Sequence, residues 1–356
     1  MKRRILLATV LVAVAACGGP TLSTAAPSGM AATPVTSVSA SVTPTDAGAA
    51  ATPAAPASDQ PAASSAPLKL LWDAGGPVGS NTSTVASAID PVTGNLWVAV
   101  PFENRYWILS PGGKYLESWG VAGSGPGQFD FSDHAQNADG WGAIAFAPDG
   151  SFVVGDTGNH RVQAFDAKRR FVRQWGTFGT GDGQFVQIQS LATDGTTVFV
   201  GDGTRYDIQA FKTDGTFLRS FGASEGMNTV ALDAKDRLHA TNPQSPTGTP
   251  MSMAIFAADG SELSRTDLTA FGGWPVSVSV DTAGNSFVCV ELGQVPFTNL
   301  ALVEIGPDGK VLRSWAGAGG DVATVTPRGD AVYATRGIQL DGRQWTTVRK
   351  DAIPAP

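Results

Sequence analysis

The chain is poor in the residues that most enzymes and staples are made from. It has two cysteines, three histidines and only 15% charged residues in 356. Two cysteines far apart exclude a disulfide framework and a cysteine-rich zinc site. Cys289 lies in the apolar run SFVCV and reads as a small buried residue of an inner strand. Positive charge is scarce as well, with a formal net charge of −7. Without Lys2, Arg3 and Arg4, Asp46 and Asp59, residues 68–356 remain acidic, which argues against a polyanion surface and against nucleic acid as a partner. No glycine-rich loop runs into Lys-Ser or Lys-Thr, so a phosphate loop is excluded, and no nucleophile sits beside a base at readable spacing.

What the chain has in abundance is punctuation. Residues 140–176 contain four short alternating runs separated by turn residues: Ala143–Ala147, Phe152–Val154, Val162–Phe165 and Phe171–Trp175. The pattern returns at intervals of about 40 to 57 residues. Six first strands align, at 85–90, 142–147, 189–194, 228–233, 276–281 and 321–326, and fourth strands follow at 115–120, 171–176, 217–222, 262–268 and 311–316. Four antiparallel strands per unit and six units predict an all-β, six-bladed β-propeller. The sixth unit has no fourth strand of its own after QWTTVRK, whereas LKLLWDAGG at 68–76 reads as a fourth strand with no blade before it. The ring is therefore expected to close by residues 68–72 pairing with 344–350, which also removes an exposed sheet edge.

DTGNHRVQAFD at 156–166, FVRQWG at 171–176 and the connectors GSGPGQF (123–129) and GTGDGQF (179–185) resemble the NHL-repeat family of six-bladed propellers. The likeness covers residues 68–356 and is strongest in blades one to three. Blades four to six lack the Asn-Arg pair. A propeller fold hosts many activities, so the resemblance implies architecture and not chemistry.

The first 67 residues differ in kind. Lys2-Arg3-Arg4 precedes one apolar run, Ile5–Ala16, of signal-peptide length and too short to span a bilayer comfortably. It ends at VAACG, which resembles the bacterial lipoprotein signal; the resemblance implies that residues 1–16 are removed and that Cys17 carries lipid. Residues 18–67 are almost entirely Ala, Pro, Ser, Thr and Gly and cannot build a core. By that resemblance and this composition, residues 17–67 are expected to be a lipidated cysteine and a disordered linker of roughly 40 Å r.m.s. span, and the propeller is expected outside the cell, anchored to a bacterial membrane.

One face of the ring carries tight turns such as APDG and KTDG; the other carries the long loops 120–141, 176–187, 242–250, 291–299 and 336–343. Long loops on a rigid rim are where binding residues collect. The candidates there are Asp133 and His134 in the 130–140 insertion, His160, Arg161 and Arg205, and a mixed ring at the ends of second strands: Asp156, Asp202, Asn242, Glu291 and Arg336. For Asp156 and Asp202 the alternative is a turn-organising role with Arg161 or Arg205 paired to a neighbour. Asp202, Asn242 and Glu291 supply the residue types that lactonases of the gluconolactonase type set around a metal, so Ca2+ or Zn2+ is the cofactor to consider, although the flanking segments do not resemble those enzymes. His134, His160 and His239 do not match the three-blade histidine set of the peptide-amidating lyases. His239 alternates within a strand and is expected to face solvent or pack between blades. A docking module would instead present an aromatic patch from Phe131, Trp141, Trp274 and Phe297, each of which equally suits the inter-blade core, Trp141 and Trp274 above all. Two functions follow: a membrane-anchored binding or docking propeller for a protein or small polar ligand, or a metal-dependent hydrolase or lyase at the channel mouth.

Overall fold

The computed structural model describes residues 67–73, 78–80, 86–133, 138–139, 141–222, 227, 229–242, 250–292, 300–316, 322–340 and 343–355. Cys17 and the linker before residue 67 lie outside them. Among the described residues no helix is long and apolar enough to cross a membrane.

Among the described residues six antiparallel sheets of four or five strands follow one another in chain order, with two two-stranded pairs in the connectors. Blade two has the strands Ile144–Phe146, Phe152–Asp156, Arg161–Phe165 and Phe171–Trp175. The other first strands are Ser87–Ile89, Ile188–Thr193, Thr229–Leu232, Trp274–Val280 and Val322–Val325. The tight turns are built by aspartate and glycine. At Pro148-Asp149-Gly150 the Asp149 carboxylate accepts from Ser151 N–H (2.9 Å) and Ser151 Oγ (2.6 Å), and Gly150 adopts φ +84°, a left-handed conformation that costs glycine little.

Blade six is closed by the N-terminal strand, as the missing fourth strand required. Lys69–Asp73 pairs antiparallel with Arg343–Ala352, Lys69 lying opposite Ala352 and Trp72 opposite Lys350. Trp72 donates its Nε1–H to Pro111 O (3.1 Å) and meets the Tyr333 ring at 5.8 Å, so the closing strand also fastens blade six to blade one. A short strand not foreseen, Val78–Ser80, pairs with the same edge at Thr346 and Trp345. Room for it exists because Arg343–Ala352 is ten residues long and Lys69–Asp73 covers only its C-terminal half.

Apolar side chains of second and third strands fill the spaces between blades. Trp97 of blade one meets Phe146 and Phe152 of blade two, each at 5.4 Å between ring centres. Replacing such a buried Trp by Ala costs about 3–5 kcal/mol. Around the axis the first strands are tied by hydroxyls: Ser87 Oγ meets Thr324 Oγ1 at 2.7 Å, and Ser277 and Ser279 accept from the N–H groups of Ala323 and Val325.

Candidate functional site

The glycine-rich connectors have a structural purpose that the residues define in duplicate. In 123–129 the chain folds back so that Gly123 N–H donates to Phe129 O (2.9 Å), while Gln128 Oε1 accepts from Gly125 N–H (2.9 Å). A Cβ on Gly123 would collide with that Gln128 amide. Blade two then grips the loop. Arg161 donates to Gly125 O (2.9 Å) and Gln128 O (3.1 Å), and Gln163 accepts from Gly127 N–H (2.8 Å) and donates to Gln128 O (2.7 Å). The next connector repeats this through Arg205 and Gln209, which hold Gly181, Gly183 and Gln184.

Asp156 and Asp202 sit at the centre of these grips and are fully buried. Asp156 accepts from Asp130 N–H (2.6 Å), Arg161 Nε (2.7 Å), Gln163 Nε2 (3.0 Å) and Asn159 Nδ2 (3.0 Å). Asp202 accepts four backbone N–H groups, from Val186 (2.7 Å), Gln187 (3.1 Å), Thr204 (3.0 Å) and Arg205 (3.0 Å). Arg205 forks instead onto Asp207, at 2.9 and 2.6 Å. Burial pushes both carboxyls above their ordinary range, against the pull of these donors. Their acceptor positions are taken up within the protein.

The remaining ring positions differ. Asn242 is fully buried, with its Nδ2 3.5 Å from Pro250 O and its Oδ1 without a hydrogen-bond partner among the described residues. Glu291 is half-buried, lies opposite Trp274, and has its carboxyl raised by burial. Arg336 and Asp133 are placed by backbone only, in strands Ala331–Leu340 and Ser132–Asp133, and His134 lies outside the described residues. Among the described residues no three His, Cys, Asp or Glu side chains come together as a metal set. His160 takes a left-handed φ of 53°, capping a 3-10 turn, with Nδ1 3.2 Å from Val186 O. His239 packs between blades. Its Nδ1 meets Ser286 Oγ of blade five at 2.6 Å, its Nε2 meets Asp233 at 3.4 Å, and burial lowers its pKa below 6.5.

The channel holds a cavity of about 90 Å3 near the starts of the first strands, on the long-loop side. Its polar lining comes from Ser87, Gln189, Ser190, Thr229 and Ser277, with the half-buried Trp141 at its edge. Trp141 was a candidate from sequence; the hydroxyl residues were not, although they alternate along the first strands in a way that would mark them. Of the other proposed patch aromatics, Phe131 is core, edge-on to Tyr106 at 5.4 Å, Trp274 is 39% exposed, and Phe297 lies outside the described residues.

Among the described residues, five four-stranded antiparallel sheets and a sixth to which Val78–Ser80 adds a fifth strand, in a ring closed by Lys69–Asp73, define a six-bladed β-propeller. The NHL-repeat family model matches residues 142–165, the first three strands of blade two, so this propeller carries an NHL repeat. No curated protein matches by sequence. Among solved structures, a gluconolactonase from Xanthomonas campestris is similar at 12% identity and a TM-score of 0.52, over 81% of this chain and 96% of that one. Virginiamycin B lyase from Staphylococcus aureus is similar at 9% identity and 0.48, over 80% and 98%. Against the hydrazine synthase of Kuenenia stuttgartiensis the identity is 12% and the TM-score 0.46, and the likeness spans 56% of each chain. At 12% identity the likeness to the gluconolactonase is one of fold alone.

Proposed function

We propose that the protein is a binding propeller of the bacterial cell envelope, tethered through lipid on Cys17, which takes its ligand at the channel mouth on the long-loop face. The channel cavity carries this reading: hydroxyl and amide groups with a tryptophan at the edge suit a small uncharged polar ligand, or the tip of a partner segment. The buried carboxylates nearest in type to a catalytic set, Asp156 and Asp202, already serve as backbone acceptors. Saturation-transfer NMR with a panel of neutral sugars and short neutral peptides tests it. Binding by at least one probe, lost in Trp141→Ala with an unchanged melting temperature, is the expected result; no binding by any probe would count against it. For the anchor, labelled palmitate should enter the wild-type protein in cells and fail to enter Cys17→Ser.

A metal-dependent lactonase is the second reading, favoured by the Oδ1 of Asn242, which has no hydrogen-bond partner among the described residues, together with the raised carboxyl of Glu291 on the next blade. Elemental analysis of the purified protein, paired with a melting curve in chelator, separates the two. Near-stoichiometric calcium or zinc, with a fall in melting temperature on its removal, would put the lactonase first.

A further inference from the structure

We propose that the gap between blades two and three, on the tight-turn face opposite the channel site, is a second binding site, for a flat aromatic ring carrying an anionic group. The register of the second strands reveals it. Near the start of each second strand one residue, the second of the strand in blades one, two, four and five and the third in blades three and six, points toward the following blade. The residues there are Trp97, Val153, Phe199, His239, Phe287 and Tyr333, lying opposite Ile108, Ala164, Ala210, Ile255, Glu304 and Lys350. Five of the six are rings, and those rings fill the gaps: Trp97 packs on blade two, His239 reaches Ser286 of blade five, and Tyr333 joins the core of blade one. Blade two alone has a small side chain at this place, faced by another small one, Ala164. A half-open cavity of about 260 Å3 lies there, walled by Val153, Ala164, Phe152, Phe165 and Val172. Interiors are close-packed, so a ring-sized omission at one of six equivalent positions is a space shaped for a ring.

The charge at its rim selects the substituent. Asp166 is already satisfied by Arg170, through Nε at 2.7 Å and its backbone N–H at 2.9 Å. Arg173, which lies opposite Ala164 and lines the cavity, makes no salt bridge among the described residues, although its charge, after the hydrogen bonds from Thr216, helps to hold the Asp214 carboxyl below its ordinary range. Sibling gaps also set a cation against the filling ring, with the Arg169 guanidinium 4.9 Å from the centre of Trp97 and Lys350 Nζ 4.7 Å from that of Tyr333. Between blades two and three the cation is in place and the ring is missing. An aromatic carboxylate supplies the ring to the apolar wall and an acceptor to the guanidinium.

Isothermal titration of the full chain with phenylacetate, benzyl alcohol and cyclohexylacetate tests the proposal. Saturable binding is expected in the order phenylacetate, benzyl alcohol, cyclohexylacetate. Val153→Phe, which supplies the ring covalently, should abolish phenylacetate binding while holding or raising the melting temperature. Arg173→Gln should weaken phenylacetate about tenfold and leave benzyl alcohol unchanged, as loss of one charged hydrogen bond would. Absence of saturable phenylacetate binding in the wild type overturns the proposal, and so does binding that survives Val153→Phe. Should Val153→Phe fail to fold, Arg173→Gln at the exposed rim decides: equal affinity for phenylacetate in that variant and the wild type also overturns it.

Discussion

Between blades two and three, Asp202 gathers four backbone N–H groups from two loops, and Arg205 and Gln209 hold the glycine-rich connector. Between blades four and five, His239 reaches across to one hydroxyl, Ser286, and leans on Asp233, which Arg237 also holds at 2.6 Å. The first junction is made by a repeated motif acting on backbone, and the second by side chains particular to that place. Backbone acceptors and donors are fixed by the loop's path, so the first device works wherever the motif recurs. The second tolerates a different residue in every blade, which is why the repeat fades in the C-terminal half while the ring stays whole.

The largest expected effect comes from breaking what both halves depend on, the closure. Deleting residues 68–73 removes Trp72 from Tyr333 and exposes the edge of Arg343–Ala352; the melting temperature should fall by roughly 10 °C or more. An unchanged melting curve would mean that the strand is dispensable. Next, Asp202→Ala strands four N–H donors and should cost about 3 kcal/mol in urea unfolding, whereas Asn242→Ala, at the equivalent end of blade four, should cost about 1 kcal/mol or less, because its Oδ1 has no partner to lose among the described residues. Equal losses would erase the distinction between the two kinds of junction. Smallest is the effect at His239. Burial lowers its pKa in the folded protein, so its contribution is complete above pH 6.5 and declines as the pH falls below that, where the unfolded chain takes up the proton first. Phe stands at this position in blades three and five; His239→Phe should cost about 1 kcal/mol or less at pH 8 and flatten the acid decline between pH 6.5 and 5. A decline of the same steepness in both proteins would assign it to other groups.

Much of this architecture is legible in the chain because it is written in short-range signals. Aspartate-glycine turns mark the ends of first strands, and the orphaned LKLLWD and the missing last strand point to each other. The turn-organising alternative for Asp156 and Asp202 was also readable, since both precede an arginine-bearing turn. Less legible was anything that depends on facing a neighbour. The hydroxyls of the channel come from first strands tens of residues apart. The weight of Val153 emerges only when all six second strands are laid side by side, and in blades three and six the matching residue, Phe199 or Tyr333, comes one position later in its strand. His239 had a solvent-facing alternative because its partner, Ser286, is forty-seven positions away.

The pairing of Lys69–Asp73 with Arg343–Ala352 also sets a timetable. Of the described strands, Lys69–Asp73 is made before all the others yet is among the last to find its place, since the edge it needs, Arg343–Ala352, is made after them. Until then Leu70 and Leu71, about half exposed even in the finished ring, stand as an unpaired apolar edge. Blades one to five can assemble as they emerge, but none of them can finish the circle. Completion is a single late event joining the two ends of the domain, and a truncated chain is left open at both sides of one seam.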